Sequence, residues 1–365
     1  MMSPTLPLTY DECRARFVRA AAVAGLEVRS DPIDVRGATG QLLTIDSVRV
    51  GAVEPRRALV VLSGVHGVEG FIGSLIQCEF LERLARAVLP ADMAVLVVHS
   101  VNPWGMSRSR RQNESNVDLN RNWRRSDVEP VHNDAYDELH TLACPDTDRL
   151  PSVEDLMVAA GEWVETRELD WVRDGITAGQ YRHADGLHYG GSRTEPSNRV
   201  LERLVADLDG AGLGLVLDLH TGHGDRGTST MLSDEPPGSP QDLFLRRHFS
   251  GHLVEPTVDN AGATTGMKSG QIANGLRDQL GPVGWHATAV EFGTTPDLEQ
   301  LGATYLESWV DRHGDRTDPA HAELVWQYRC CFTPDDPQWV ETCRDAGAGL
   351  VDAALDAVAS SVLDS

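Results

Sequence analysis

Lysine is almost missing from this chain: Lys268 is the only one in 365 residues, and every other basic side chain is an arginine. Read from the sequence, the imbalance is a compositional habit without functional weight. Positive charge is scarce altogether, with 32 Lys and Arg against 55 Asp and Glu and a net charge of −23. A surface so acidic repels phosphate backbones and anionic headgroups, which argues against nucleic acid and membrane surfaces as partners. The acidic residues are spread along the chain, as on a solvated surface, and do not form a tail. No stretch comes near the roughly 20 apolar residues of a membrane span. No basic segment followed by an apolar run opens the chain as a secretory leader would. The six cysteines, Cys13, Cys78, Cys144, Cys330, Cys331 and Cys343, show no CxxC spacing and no dense framework. Reduced, mostly buried thiols in a cytoplasmic protein are therefore expected, with no redox role for the adjacent Cys330 and Cys331. There is no internal repeat and no low-complexity tract.

What is present is the material of one sizeable core. Hydrophobic residues make up 41% of the chain, ample at this length for a single domain over 1–365. A helix is expected over Thr9–Ala24 and a short strand over Thr44–Val50. Ala58–Leu62, the run ALVVL, has the compact apolar character of a fully buried strand. The glycine-rich turn Ser63–Gly70 follows, and then apolar residues at helical spacing over Phe71–Ala87. Met93–Val98 reads as a second buried strand, ending at Asn102–Pro103. Ser126–His188 differs: it is polar, acidic and broken by prolines, with a helical stretch around Val153–Arg173. It reads as an insertion placed to cover a site. Asn198–Leu208 reads as a helix, Leu213–Leu219 and Thr288–Phe292 as strands, and the chain from about residue 297 as mostly helical. Strands alternating with helices imply an α/β protein with a largely parallel central sheet. In such sheets ligands collect at the carboxyl ends of strands, where the chemically notable residues fall.

Four segments carry chemistry. In Ser63-Gly64-Val65-His66-Gly67-Val68-Glu69-Gly70, an imidazole and a carboxylate three positions apart sit on a tight turn entering a helix. His66 and Glu69 can converge on one metal, and zinc accepts both donor types. In Asp218-Leu219-His220-Thr221-Gly222, His220 ends a buried strand and supplies a third ligand, leaving an open position as catalytic zinc sites do. His223 is a rival, but a residue directly following a strand is placed more exactly by its backbone. The arginine-rich run from Arg110 to Asn122 suits carboxylate binding or an oxyanion, since the planar guanidinium fork matches both; a salt-bridged surface loop is the alternative. Glu291 interrupts an apolar strand, where an unpaired carboxylate is costly. It is either a general base beside a metal-activated water or the partner of an arginine.

In this order and at strand ends, the four segments resemble the zinc carboxypeptidase superfamily, including its aspartoacylase and succinylglutamate desuccinylase relatives. Within it the chain is most similar to a bacterial DUF2817-like branch with an HGVEG turn, an NPxG segment and a DLHTG strand end. The similarity runs from about Ala58 to Thr294. It implies a three-layer α/β/α fold with a mixed, largely parallel sheet and one Zn²⁺ per chain held by His66, Glu69 and His220. It further implies Glu291 as general base and Arg111 as the carbonyl-polarising arginine, with Arg110 and Arg108 as alternatives in register. Asn120 and Arg121 would hold the substrate carboxylate, and Asp118 would support His66. One departure stands out. The family's mobile tyrosine has no counterpart between Tyr189 and Tyr305, and Tyr189 is the candidate to enter the pocket from another direction.

The expected activity is zinc-dependent hydrolysis of an amide bond in a small carboxylate-bearing molecule or short peptide. An N-acyl amino acid deacylase is the alternative, and a non-catalytic metal-binding protein is the alternative of another class. A serine hydrolase is excluded because no GxSxG elbow is present. A dinucleotide-binding oxidoreductase is excluded because the turn Gly64–Gly70 does not have the GxGxxG spacing.

Overall fold

The computed structural model describes residues 6–123, 132–257 and 268–361, so the first residues of the expected insertion, 126–131, lie outside it. In chain order the elements are α1 (Tyr10–Val23), β1 (Arg29–Arg36), β2 (Leu42–Gly51), β3 (Arg57–Ser63), α2 (Gly70–Leu84), β4 (Met93–His99) and α3 (Pro103–Arg108). The insertion contributes α4 (Asp134–Ala143), α5 (Val153–Thr166) and α6 (Leu169–Thr177). Then follow α7 (Pro196–Val205), β5 (Leu213–Gly222), β6 (Ser229–Ser233), α8 (Pro240–His248), β7 (Leu253–Pro256), α9 (Ile272–Leu280) and β8 (Trp285–Gly293). Three helices close the chain: α10 (Asp297–His313), α11 (Pro319–Phe332) and α12 (Pro337–Ser360).

The strands form one sheet in the order β1-β2-β4-β3-β5-β8-β6-β7. Its centre, β4-β3-β5-β8, is parallel; β2 and β6 join it antiparallel on either side. The apolar run of β3 is continuous because both faces of the sheet are covered. Leu59 and Val61 pack with Ile72, Ile76, Leu350 and Val351 of α2 and α12. Val60 and Leu62 pack with Val200, Leu204, Ile272 and Leu276 of α7 and α9. The two-residue period of a strand thus divides one hydrophobic segment between two helical layers, giving the three-layer α/β/α arrangement.

The same alternation aims the functional side chains. On β5, Leu215, Leu217 and Leu219 enter the core under α2 and α12. Asp218 and His220 therefore point to the opposite face. β8 runs parallel to β5 with His220 opposite Glu291, so both emerge on one face at adjacent strand ends. α12 pins this end from the other side: Trp339 Nε1 donates to the Gly293 carbonyl at 2.8 Å. The far end of α12 is closed by Arg57, whose guanidinium donates to the carbonyls of Ala359 at 2.9 Å and Ser361 at 3.0 Å.

β1, β6, β7, α3, α4, α8 and α9 form where the sequence carries no comparable signal. β1 (RSDPIDVR) buries only Ile33, because an edge strand is held by backbone pairing on one side and needs little apolar surface. The insertion has a small core of its own around Tyr136, Leu139, Val172 and Ile176. All six cysteines are unpaired, four buried and Cys330 and Cys331 partly exposed. Among the described residues no helix is long and apolar enough to cross a membrane.

Candidate metal centre

The turn after β3 is tight because glycines make it so. Gly64 adopts φ +66°, and a Cβ on Gly67 would fall 2.1 Å from the Gly105 carbonyl carbon of α3. His66 and Glu69 flank this contact, on a single 3₁₀ turn over Gly67–Glu69. Together with His220 they form a buried group whose ligand atoms all lie within 4.8 Å of one another. His66 Nδ1 is 2.9 Å from Glu69 Oε1, and His220 Nδ1 is 2.8 Å from Glu69 Oε2. His66 Nδ1 is nevertheless buried without a hydrogen bond. It is a donor atom aimed at the space the three groups share.

The outer nitrogen of the His66 ring is hydrogen-bonded, its Nε2 lying 3.0 Å from Asp118 Oδ1; His220 Nε2 lies 2.8 Å from Asp218 Oδ2 as a close charged contact without a hydrogen bond. For His66, an Nε2–H held by a carboxylate leaves the Nδ1 lone pair facing inward, the usual backing of a metal-bound histidine. Two imidazole nitrogens and a carboxylate oxygen suit zinc, so this donor set fits the metal that the sequence pattern implies.

Asp118 is the most heavily used residue here. Its Oδ1 also accepts from the Asn120 N–H at 2.9 Å, and its Oδ2 accepts from Arg111 Nε at 2.9 Å. Burial pushes its carboxyl up, but the Arg111 guanidinium and His66 outweigh burial and hold it well below the usual carboxylate range. Arg111 continues to Glu69 Oε1, 3.1 Å from its Nη1. Of the three arginines the sequence left as alternatives, only Arg111 lines the pocket. Arg110 is spent on Glu307, at 3.2 Å, and on Asp311, and Arg108 lies over the Trp104 ring at 5.0 Å.

Beside the metal group opens a pocket lined by His66, Arg111, Asn120, Arg121, Lys268, Gln271, Asp234 and Glu291 among others. Glu291 Oε2 is buried and has no hydrogen-bond partner, and Glu291 forms no ion pair with a described residue, so the arginine-partner alternative is not seen. Asn120 Oδ1 accepts from the Ile272 N–H at 2.9 Å, which leaves its NH₂ for the pocket. Arg121 gives Nη1 to the Asn120 carbonyl at 2.9 Å and Nη2 to the Thr177 carbonyl at 2.8 Å.

His223, the rival set aside in favour of His220, pairs with Glu255 at 3.0 Å and is not part of the metal group. Two expectations are not met. Tyr189 does not line the pocket; its carbonyl accepts from the Asp118 N–H at 2.8 Å, so the residue supports the site through its backbone. The described part of the insertion supplies no pocket wall. It props the site from behind, through Thr177 and through Tyr181, whose hydroxyl donates to the Arg121 carbonyl at 2.7 Å.

Four residues were not picked from the sequence. Asp218 lies two positions before His220, and strand alternation was the available signal. His188 places Nδ1 3.3 Å from Asp118 Oδ2; burial brings its pKa down to about 3. Lys268 and Asp234 line the pocket, and for Lys268 the signal was its uniqueness.

A buried two-histidine, one-glutamate group with an adjoining pocket, at the carboxyl ends of parallel strands, defines a candidate single-metal centre. Among solved structures the chain is similar to carboxypeptidase A from Helicoverpa armigera, at 13% identity over 94% of this chain and 74% of that one, with a TM-score of 0.49. It is also similar to bovine thrombin-activatable fibrinolysis inhibitor, solved with tick carboxypeptidase inhibitor, at 12% identity over 88% and 95% with a TM-score of 0.46. A third is a metallo-carboxypeptidase from Burkholderia cenocepacia, at 13% identity over 84% and 69% with a TM-score of 0.41. No match is found among curated proteins. The chain belongs to the DUF2817 family, described as a protein of unknown function, whose model matches residues 7–345.

Proposed function

We propose that this protein is a zinc-dependent hydrolase of amide bonds in small carboxylate-bearing molecules. The observation that carries the reading is the inward-facing set of His66 Nδ1, His220 Nδ1 and the Glu69 carboxylate, next to a Glu291 that forms no ion pair with a described residue. Zinc held by these three groups would supply a Lewis acid that polarises a carbonyl and acidifies water.

The chain's own residues do the rest. Glu291 takes the proton of the attacking water and returns it to the leaving nitrogen, a role for a carboxylate within reach of the reacting atoms. Arg111, locked between Asp118 and Glu69, presents a fixed positive charge toward the oxyanion that develops on the carbonyl oxygen. Asn120, on the pocket wall it shares with Arg121, orients the substrate through its carboxylate, and such positioning can account for several kcal/mol of a barrier. Asp118 and Asp218 keep the two ligand rings in one tautomer and orientation.

The small pocket, with no tyrosine among its lining residues, favours short peptides and N-acyl amino acids over long chains, and equally supports a deacylase of the aspartoacylase type. A structural zinc is usually closed by four ligands; the group here has three. The test is elemental analysis joined to a hydrolysis screen of N-acyl amino acids and dipeptides. One zinc per chain and zinc-dependent cleavage of one such class are expected. No metal in the wild-type protein after zinc is offered, or cleavage confined to long polypeptides, would overturn the reading.

A further inference from the structure

Lys268, the chain's one lysine, lines the same pocket as His66, Asn120, Arg121 and Glu291. Its place is fixed by the residues that follow it. Ser269 N–H donates to the Ala178 carbonyl at 3.3 Å, and its hydroxyl meets the Tyr181 hydroxyl at 3.1 Å. The Gly270 carbonyl accepts from the Trp123 N–H at 2.9 Å. Gly270, at φ +70°, also lies so near Arg121 that a Cβ there would be 2.3 Å from the Arg121 carbonyl oxygen. Ile272 N–H bonds Asn120 Oδ1. The segment is thus laid along Asn120 and Arg121, with Lys268 at its head.

The charged groups that act on Lys268 are Arg121, Glu291, Arg111 and Asp234. Three are already committed. Arg111 is tied to Asp118 and Glu69, both terminal nitrogens of Arg121 donate to backbone carbonyls, and Asp234 accepts from Thr257 and Asn274. Glu291 stands without an ion pair. The Lys268 ammonium itself makes no hydrogen bond or ion pair with a described residue.

We propose that Lys268 supplies the cationic contact for the substrate's carboxylate, acting with the free NH₂ of Asn120, while Arg121 chiefly braces the wall behind them. The inference rests on the hydrolase reading for the carboxylate nature of the ligand. An ammonium is a compact charge on a flexible stem and, unlike a guanidinium, can lose its proton at accessible pH. Burial and the neighbouring Arg121 bring the Lys268 pKa down to about 8, so the contact weakens as pH rises through that value. A chain that uses arginine everywhere else keeps lysine at this one position.

A single lysine gives a single side-chain signal. The full chain, zinc-loaded and carrying ¹³C-lysine, is titrated by NMR with N-acetylglycine and with its neutral counterpart N-acetylglycinamide. The pH midpoint of the Lys268 signal is expected to rise by about half a unit or more with the carboxylate, since an opposite charge favours the protonated form. The amide should leave it in place. By calorimetry, Lys268→Met should weaken N-acetylglycine binding about tenfold or more. Lys268→Arg should hold it within about threefold and remove the loss above pH 8, because guanidinium keeps its charge there. N-acetylglycine that fails to bind, that binds without moving the Lys268 signal, or that binds Lys268→Met as well as wild type, overturns the proposal. The two readings fail separately: a moving signal without zinc-dependent hydrolysis leaves the anion contact and removes the hydrolase, and hydrolysis with an unmoved signal does the reverse.

Discussion

The two halves of the site are built on opposite plans. On the metal side the charged groups face one another at close range: two imidazoles, three carboxylates and Arg111 form a buried network of ion pairs. On the pocket side Glu291, Lys268 and the NH₂ of Asn120 keep open valences. The difference teaches where rigidity and adaptability are placed. Ligands bound for a fixed ion are preorganised, and groups that must meet a variable substrate are anchored by backbone with their functional ends left free.

Substitutions can break that contrast, with effects that fall in order. His66→Ala should be the most severe: metal content drops from one zinc per chain to none and hydrolysis vanishes, read by elemental analysis and assay. Glu291→Gln should keep the zinc and lower kcat by about 10²–10⁴-fold, the range for loss of a general acid–base group; loss of zinc there would place Glu291 on the metal side instead. Asp218→Asn should weaken zinc by about 10–100-fold, as for other partners of liganding histidines, measured by competition with a chelator, and should leave the affinity for N-acetylglycinamide unchanged. Tyr181→Phe should cost about 1–3 kcal/mol of stability in chemical denaturation, for the lost hydrogen bonds to the Arg121 carbonyl and the Ser269 hydroxyl. It should raise KM with zinc retained, because the hydroxyl steadies Arg121 from behind.

The metal side was legible because it is local. A buried strand announces itself as an apolar run, its end locates His220, and His66 and Glu69 share one turn. Asp218 was equally within reach, since residues two apart on a strand share a face, yet it passed as part of the apolar segment. The pocket side is assembled from distant pieces that no spacing connects: Lys268 reaches Asn120 and Arg121 only because the start of α9 folds back onto them. The edge strands were silent for a different reason. β1 and β7 are held by ladder hydrogen bonds and bury few side chains, so the hydrophobic pattern that betrays β3 has no counterpart in them. The insertion showed the helical stretch that becomes α5 and α6 but neither α4 nor its role, because buttressing through a carbonyl such as that of Thr177 leaves no mark in side-chain chemistry.

The position of α12 has a consequence for how the protein is made. Synthesis is vectorial, and the two ligands of the first turn leave the ribosome long before His220 and Glu291. The helix that roofs the reverse side of their strands, and that Arg57 clasps from β3, leaves after all of them. A nascent chain lacking residues 337–360 already carries His66, Glu69 and His220 while the apolar flank of α2 and β3 stands bare. Exposed apolar surface of that kind favours self-association, and it is covered only when the last helix is released.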